Sequence, residues 1–434
     1  MINNGKMYMM NKKMILGSFL LLSSMVMMGQ NTYKNPVKAT NLPDPSVIYG
    51  QDGWFYVYAT ENGSQSVPIY KSKNLVNWRL AGAAFQDDAH RPSFVKDGSV
   101  WAPEIAYVGG KYVIYYSMST WGGEWECGIG IATSDVPQGP FTDHGKLFIS
   151  SEIGVKNSID PCFYHDVDGK NYLFWGSFRG IFGIELTEDG LSLKPGAEKF
   201  QIGPGCDGNV DNTEGTMLYK RGDYYYYIGS SGTCCEGINS TYHLVVARAK
   251  KITGPYVNRA GYSIMNHPYE TILSKSDKVL GPGHNSEVIE DDNGKTWILY
   301  HGFQASDPDA GRVLYLDELK WDQQGWPYIE QGKPSGEAET PYFKDYHNVT
   351  GIEDIQASTE GYSITKGSGN YYQIYSPDKN KFEWNILDAN GIVVRTGAGS
   401  ENKELWINDL SAGIYILQVR GSLGVLSQKI IKSC

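Results

Sequence analysis

Residues 223–230 read DYYYYIGS and residues 296–303 read TWILYHGF. Short aromatic and β-branched runs led by a polar residue and followed by turns are the signature of strands, not of a helix. Three more runs share the pattern: WFYVYAT (54–60), KYVIYYS (111–117) and NYLFWGSF (171–178). A second apolar run ending in a turn follows each, as in PIYKSKNLVNW to Trp78, GIGIATSDVPQGPF to Phe141 and LVVARAKKITGPY to Tyr256. The last two share a Gly-Pro-aromatic ending, as divergent copies of one unit would. Between residues 40 and 335 no helical period is sustained.

Upstream of the five runs stand Asp44, Glu104, Asp160, Glu214 and His284. The step of about 60 residues suits one four-stranded sheet per repeat. Radial repetition of such sheets predicts an all-β fold, a five-bladed β-propeller over residues 30–340, whose innermost strands line a central channel. Four acids and a histidine are then expected to converge near the axis. A sandwich or β-helix, with these residues as ordinary polar leaders of strands, is the alternative. Residues 341–372 are polar and read as a linker. Residues 373–434 hold KFEWNIL, GIVVRTG, GIYILQV and QKIIK, whose alternation predicts a small C-terminal β-sandwich.

The 434 residues carry a net charge of −10 and are 41% hydrophobic. That is enough apolar material for a large domain and a small one, and it leaves no basic footprint for nucleic acid. The 31 Tyr and 11 Trp suit apolar platforms with polar tips, for which sugar rings are one match. Lys6, Lys12 and Lys13 precede an apolar run from Met14 to Met28, which reads as a signal peptide over residues 1–29. No later stretch reaches the roughly 20 apolar residues of a membrane-spanning helix. An exported monomer is expected. Cysteines at 127, 162, 206, 234, 235 and 434 show no zinc spacing. Cys234 and Cys235 are adjacent, where a bridge is strained, and no pairing is assigned.

Cleavage of a glycosidic bond needs two carboxyl groups in unlike environments, one to protonate the leaving oxygen and one to activate water. Asp44, in NLPDPSVI, lies between two prolines that fix the backbone; turn capping is its alternative role. Glu214, in NTEGTMLY, precedes a glycine that permits close backbone approach and an apolar run that would raise its pKa; a surface ion pair is the alternative. Asp160, in NSIDPCFY, again leads a proline and a strand.

The DPS at Asp44, WAPE at 101–104, NSIDP at 157–161, GSF at 176–178 and TEG at 213–215 resemble glycoside hydrolase family 43. The stretch GSSGTCCEGINSTYHLVVARAKKITGPY (229–256) is similar to the endo-arabinanases of that family. The resemblance implies a five-bladed propeller and inverting, endo-acting hydrolysis of α-1,5-linked arabinan, or of another arabinose- or xylose-containing plant polysaccharide. It makes Asp44 the general base, Glu214 the general acid, and Asp160 the acid that tunes and orients Glu214. Asn157, Ser177 and Phe178 match positions lining the innermost sugar site, and Trp101 would stack on a furanose, with core packing as its alternative. His284, in GPGHNS, matches a histidine that binds calcium in the channel; alone it would read as a structural hydrogen bonder, and water would have to complete the calcium shell. Two departures bear on chain-length preference: Arg179 stands where Trp is usual, and Pro43 where His is common.

The C-terminal strands resemble sorting domains of the type IX secretion system. That implies the type IX export machinery as a partner and a secreted or cell-surface location; an accessory carbohydrate-binding sandwich is the alternative. The competing activities are an exo-acting α-L-arabinofuranosidase or β-xylosidase within the family, and a non-catalytic glycan-binding propeller outside it. Against the last, both Asp44 and Glu214 are present.

Overall fold

A computed structural model describes residues 32–344, apart from 64, 88–89 and 206–211, and residues 362–432, apart from 367–370, 377–378, 389–392 and 423. The signal peptide expected at residues 1–29 lies outside them, as do Cys206 and Cys434. Among the described residues the α-helix amounts to one turn, Ser150–Ile153; the rest of the regular structure is essentially strand.

Residues 38–321 form five antiparallel sheets in chain order. The first is built from Ser46–Tyr49, Phe55–Tyr58, Ser66–Ser72 and Arg79–Phe85, and the second from Ser99–Val108, Lys111–Ser119, Gly128–Ser134 and Thr142–Ile149. The third comprises Cys162–His165, Asn171–Trp175, Arg179–Glu185 and Phe200–Gly205, and the fourth Thr213–Arg221, Tyr224–Ser231, His243–Ala249 and Glu270–Leu273. The fifth joins Val279–Gly283, Thr296–Gln304 and Asp307–Trp321 to Lys38–Asn41 from far upstream, with Lys38 opposite Leu314. Each aromatic run of the sequence is the second strand of its sheet.

These second strands are buried on both faces, as Phe55 to Tyr58 are, because each sheet packs against its neighbours. Tyr56 and Ile69 of the first sheet meet Ile114 and Tyr116 of the second. Val113 of the second meets Leu173 and Trp175 of the third. One cluster runs from Phe174 of the third through Tyr227 of the fourth to Ile298 of the fifth. Val57 of the first sheet packs with Trp297 and Leu314 of the fifth, so the contacts return to their start.

Tyrosine serves these interfaces by filling them with a ring while its hydroxyl reaches a polar group. Tyr115 donates to the Gly190 carbonyl at 2.7 Å, Tyr225 to Asp166 at 2.7 Å and Tyr300 to Asp317 at 2.6 Å. Each such bond contributes about 1 kcal/mol net. The tyrosine content that suggested sugar platforms thus belongs largely to packing between sheets.

Residues 362–432 form two further sheets, one of Ser363–Lys366, Tyr371–Tyr375 and Asn402–Trp406, the other of Lys381–Leu387, Val393–Ser400, Gly413–Gly421 and Gly424–Lys432. Ile374, Leu405, Phe382, Trp384 and Leu417 from both share one core. The first strand and the start of the second fall where polar composition suggested a linker. They are short, with single apolar residues such as Ile364 and Tyr372 facing inward, so composition hides them.

Candidate active site

Each of the five sheets carries a residue with left-handed backbone in or next to its first strand: Asp44 (φ 57°), Ala102 (39°), Asp160 (57°), Gly215 (60°) and His284 (50°). Four of them are not glycine, so surrounding contacts must hold them there. The N–H of Ala102 donates to Thr60 Oγ1 at 2.7 Å, that of Asp160 to Ser117 Oγ at 2.8 Å, and that of His284 to Ser230 Oγ at 2.7 Å. The Asp44 N–H donates to His301 Nδ1 at 3.0 Å. In every case the acceptor sits near the end of the second strand of the preceding sheet, with the fifth sheet preceding the first.

This repeat corrects one expectation. Glu104 does not stand beside Asp44 and Asp160; Ala102 occupies that place, and Glu104 lies two residues further along its strand. Glu104 is buried with Ser46 and Glu287: Ser46 Oγ is 2.5 Å from Glu287 Oε1 and 3.2 Å from Glu104 Oε2. Glu104 Oε1 accepts the Phe163 N–H at 2.9 Å. Burial raises both carboxyls, and for Glu104 the neighbouring Glu287 adds to the rise. The pair ties the first, second, third and fifth sheets together beneath the cleft.

The cleft itself has a volume of about 590 Å³. Asp44, Asp160, Glu214 and His284 line it, and so do Trp101, Asn157, Ser177 and Phe178. The left-handed turns bring Asp44, Asp160 and His284 to one place, and Gly215 does the same for Glu214.

The acids there are biased in opposite directions. Burial alone would raise Asp44, but the Arg312 guanidinium and His284, by charge and by hydrogen bonding, outweigh it and hold the carboxyl well below its ordinary range. Arg312 donates to Asp44 Oδ1 at 2.8 Å and Thr60 to Oδ2 at 2.6 Å. Burial raises Glu214, and the 2.5 Å hydrogen bond from Ser177 Oγ offsets this only in part. Asp160 is pushed up to about 7, by burial first and then by Glu214 and Asp44, against the pull of His284. Its Oδ2 accepts the Gly215 N–H at 3.1 Å. The cleft therefore holds one committed carboxylate and a neighbouring pair that retains a proton near neutrality.

Residues 33–327 match Glycosyl hydrolases family 43, and residues 368–433 match a secretion system C-terminal sorting domain. The chain belongs to glycosyl hydrolase family 43. An extracellular exo-α-(1→5)-L-arabinofuranosidase of Cellvibrio japonicus is 32% identical over 313 residues, 68% of this chain and 88% of that protein. An extracellular endo-α-(1→5)-L-arabinanase of Bacillus subtilis is 31% identical over 293 residues, 66% of this chain and 87% of its own. The structure of a Cellvibrio cellulosa α-L-arabinanase complexed with arabinohexaose superposes with a TM-score of 0.60 at 28% identity, over 67% of this chain and 96% of that one.

Several residues of this family 43 site were not singled out from sequence. Arg312 reaches Asp44 from 268 residues away, a contact no local motif announces. His301 sits inside the quoted TWILYHGF, where a lone histidine in an apolar strand was the available signal. Burial lowers it to about 4, so it is neutral and able to accept the Asp44 N–H. Arg179 does not project alone into the site; its Nη2 lies 2.6 Å from Glu124 Oε1, an ion pair between the third and second sheets at the cleft edge. Cys234 and Cys235, left unpaired by the sequence, are joined in a disulfide.

For the calcium expected at His284 the donors are sparse. His284 Nδ1 is 3.3 Å from Asp44 Oδ1, and no group of three or more His, Cys, Asp or Glu side chains suited to a metal is gathered among the described residues. Next to it, however, Asn285 Oδ1 is buried without a protein partner. A histidine and one free amide oxygen fit an ion that keeps most of its water, and do not fit an all-protein cage.

Proposed function

We propose that the family 43 domain is a five-bladed β-propeller that hydrolyses α-1,5-linked arabinan outside the cell, within the chain, by single displacement with inversion. The observation that carries this reading is the opposed bias of Asp44 and Glu214 on one cleft: a carboxyl held well below its ordinary range by Arg312 and His284, and one raised above it by burial. The propeller is supported by the run of anchors, in which residues near the ends of the second strands of the first, second and fourth sheets hold the left-handed residue of the next sheet and His301 of the fifth holds Asp44 of the first.

Asp44 acts as general base, taking a proton from the water that attacks the anomeric carbon. Glu214 acts as general acid, protonating the departing sugar oxygen while Ser177 fixes its orientation. Asp160 discourages early ionisation of Glu214 and, through the Gly215 N–H, sets the turn that carries it. Trp101 and Phe178 offer apolar faces to sugar rings. A hydrated calcium ion held by His284 and Asn285 would supply fixed positive charge to the cleft. The sorting match at residues 368–433 supports delivery by the type IX machinery to the cell surface or the medium.

A second reading, exo-acting release of arabinose, is favoured by the Arg179–Glu124 ion pair at the cleft edge and by the exo-acting relative. Chromatography of products from linear arabinan decides. A ladder of oligosaccharides supports internal cleavage, monomer alone supports the exo reading, and no product overturns hydrolysis.

A further inference from the structure

The connection between the second and third strands of the fourth sheet carries the Cys234–Cys235 disulfide, and both cysteines line the cleft. The connection is pinned. Gly232 has a φ of +90°, and a Cβ there would meet the Thr241 carbonyl oxygen at 2.6 Å, so glycine lets the two arms close. Thr233 N–H donates to Thr241 Oγ1 at 3.0 Å, and Glu236 N–H donates to Ser240 Oγ at 2.9 Å. Beyond Thr241, buried Tyr242 stacks on His301 with centroids 5.7 Å apart. The turn is thereby fixed to the residue that anchors Asp44.

A disulfide between neighbours closes an eight-membered ring. It presents sulfur and methylene as one rigid, polarisable surface with no hydrogen-bond donor in its side chains. Cys234 is half-buried and Cys235 exposed, so this surface reaches the cleft mouth. No step of hydrolysis uses it. The carbon–hydrogen face of a furanose is the chemistry it fits, and a ring already rigid loses little freedom on contact. The second sheet offers a comparable apolar surface at the same cleft, where Trp101 and the 83% exposed Trp121 stand edge to face, 6.4 Å apart.

We propose that the Cys234–Cys235 disulfide is a sugar-contact surface of the cleft, packing against an arabinofuranose ring away from the bond that is cut. The proposal rests on the reading of the domain as an arabinan hydrolase.

Three forms of the full chain test it: the oxidised protein, the Cys234→Ser/Cys235→Ser variant, and protein treated with dithiothreitol and then iodoacetamide. In the last, the disulfide takes two electrons and two protons to give two thiols while the dithiol becomes a cyclic disulfide. Each thiol then loses a proton and displaces iodide. The readout is kcat/KM for arabinohexaose divided by kcat/KM for an aryl arabinofuranoside. Losing an apolar contact of this size should lower the ratio about fivefold in both altered forms, mainly through KM for the hexaose. An unchanged ratio overturns the proposal, as does carbamidomethylation of both cysteines without reductant. An oxidised protein that cleaves neither substrate sinks the hydrolase reading instead. Calorimetry with arabinohexaose still tests the contact then, and equal affinity in the oxidised and altered forms would overturn it.

Discussion

Ser177 Oγ donates to Glu214 Oε2 at 2.5 Å, where its counterparts in the other sheets accept a backbone N–H from the entry of the next sheet. The N–H that Ser177 would have taken, that of Gly215, goes to Asp160 Oδ2 instead. One substitution of partners converts a structural anchor into a brace for an acid, and it makes Asp160 a backbone support of Glu214 as well as its electrostatic neighbour.

Ser177→Ala should move the alkaline limb of kcat/KM to higher pH and lower its maximum. The Ser177 hydrogen bond favours ionised Glu214, so its removal raises the Glu214 pKa further and the acid keeps its proton longer. In the unaltered protein the alkaline limb should fall as pH rises through about 7, where Asp160 and its partner lose their shared proton. A limb unmoved in Ser177→Ala would separate Glu214 from the proton that matters.

Arg312→Ala should move the other limb. Arg312 holds Asp44 low, so without it the base remains protonated to higher pH and the acid limb of kcat/KM shifts upward. Activity at neutral pH should fall about 10- to 100-fold, since a buried charge loses its partner as well. An acid limb left in place would exclude Asp44 as its source.

Much of this was legible in the sequence because the repeat places a strand-leading polar residue and an aromatic strand at each step. Asp44, Asp160 and Glu214 stand beside Pro or Gly, so their backbone peculiarity left a trace. Glu104 was misplaced because the left-handed residue of its sheet is alanine, and the nearest acid along the strand was taken for the equivalent. Arg312 and Glu287 act across sheets distant in sequence, and such contacts leave no local pattern. The disulfide was passed over because adjacency argued against it, while the pinned turn that accommodates it is a tertiary feature.

Metal analysis of the purified, active protein should find calcium near one equivalent, and chelation should lower the melting temperature, as loss of any ligand specific to the folded state does. His284→Ala should abolish that bound calcium. Active protein without calcium would remove the ion from the mechanism and leave His284, raised to about 8 by Asp44 against the opposing effect of burial, as a positive charge among three acids.

A chain ending near residue 345 should hydrolyse arabinan as the full chain does but remain within the producing cell, if residues 368–433 are an address. Loss of hydrolysis in a truncated protein that retains its melting transition would mean instead that the C-terminal sandwich takes part in the reaction.

Stereochemistry gives the last test. Asp44 enters the cleft from the first sheet and Glu214 from the fourth, so the two acids approach a sugar from separate walls. Inverting enzymes keep their carboxyls roughly 6.5–9.5 Å apart to admit water, whereas retaining ones hold them near 5 Å so that one attacks directly. Proton NMR taken early in the reaction should therefore show the β-anomer released from the α-linked substrate. Glu214→Gln should slow cleavage of arabinan by about 100-fold or more but spare an aryl arabinoside whose leaving group needs little protonation. Asp44→Asn should cripple both, because water must be activated whatever departs. Initial release of the α-anomer would make Asp44 a nucleophile and replace single displacement with a covalent intermediate.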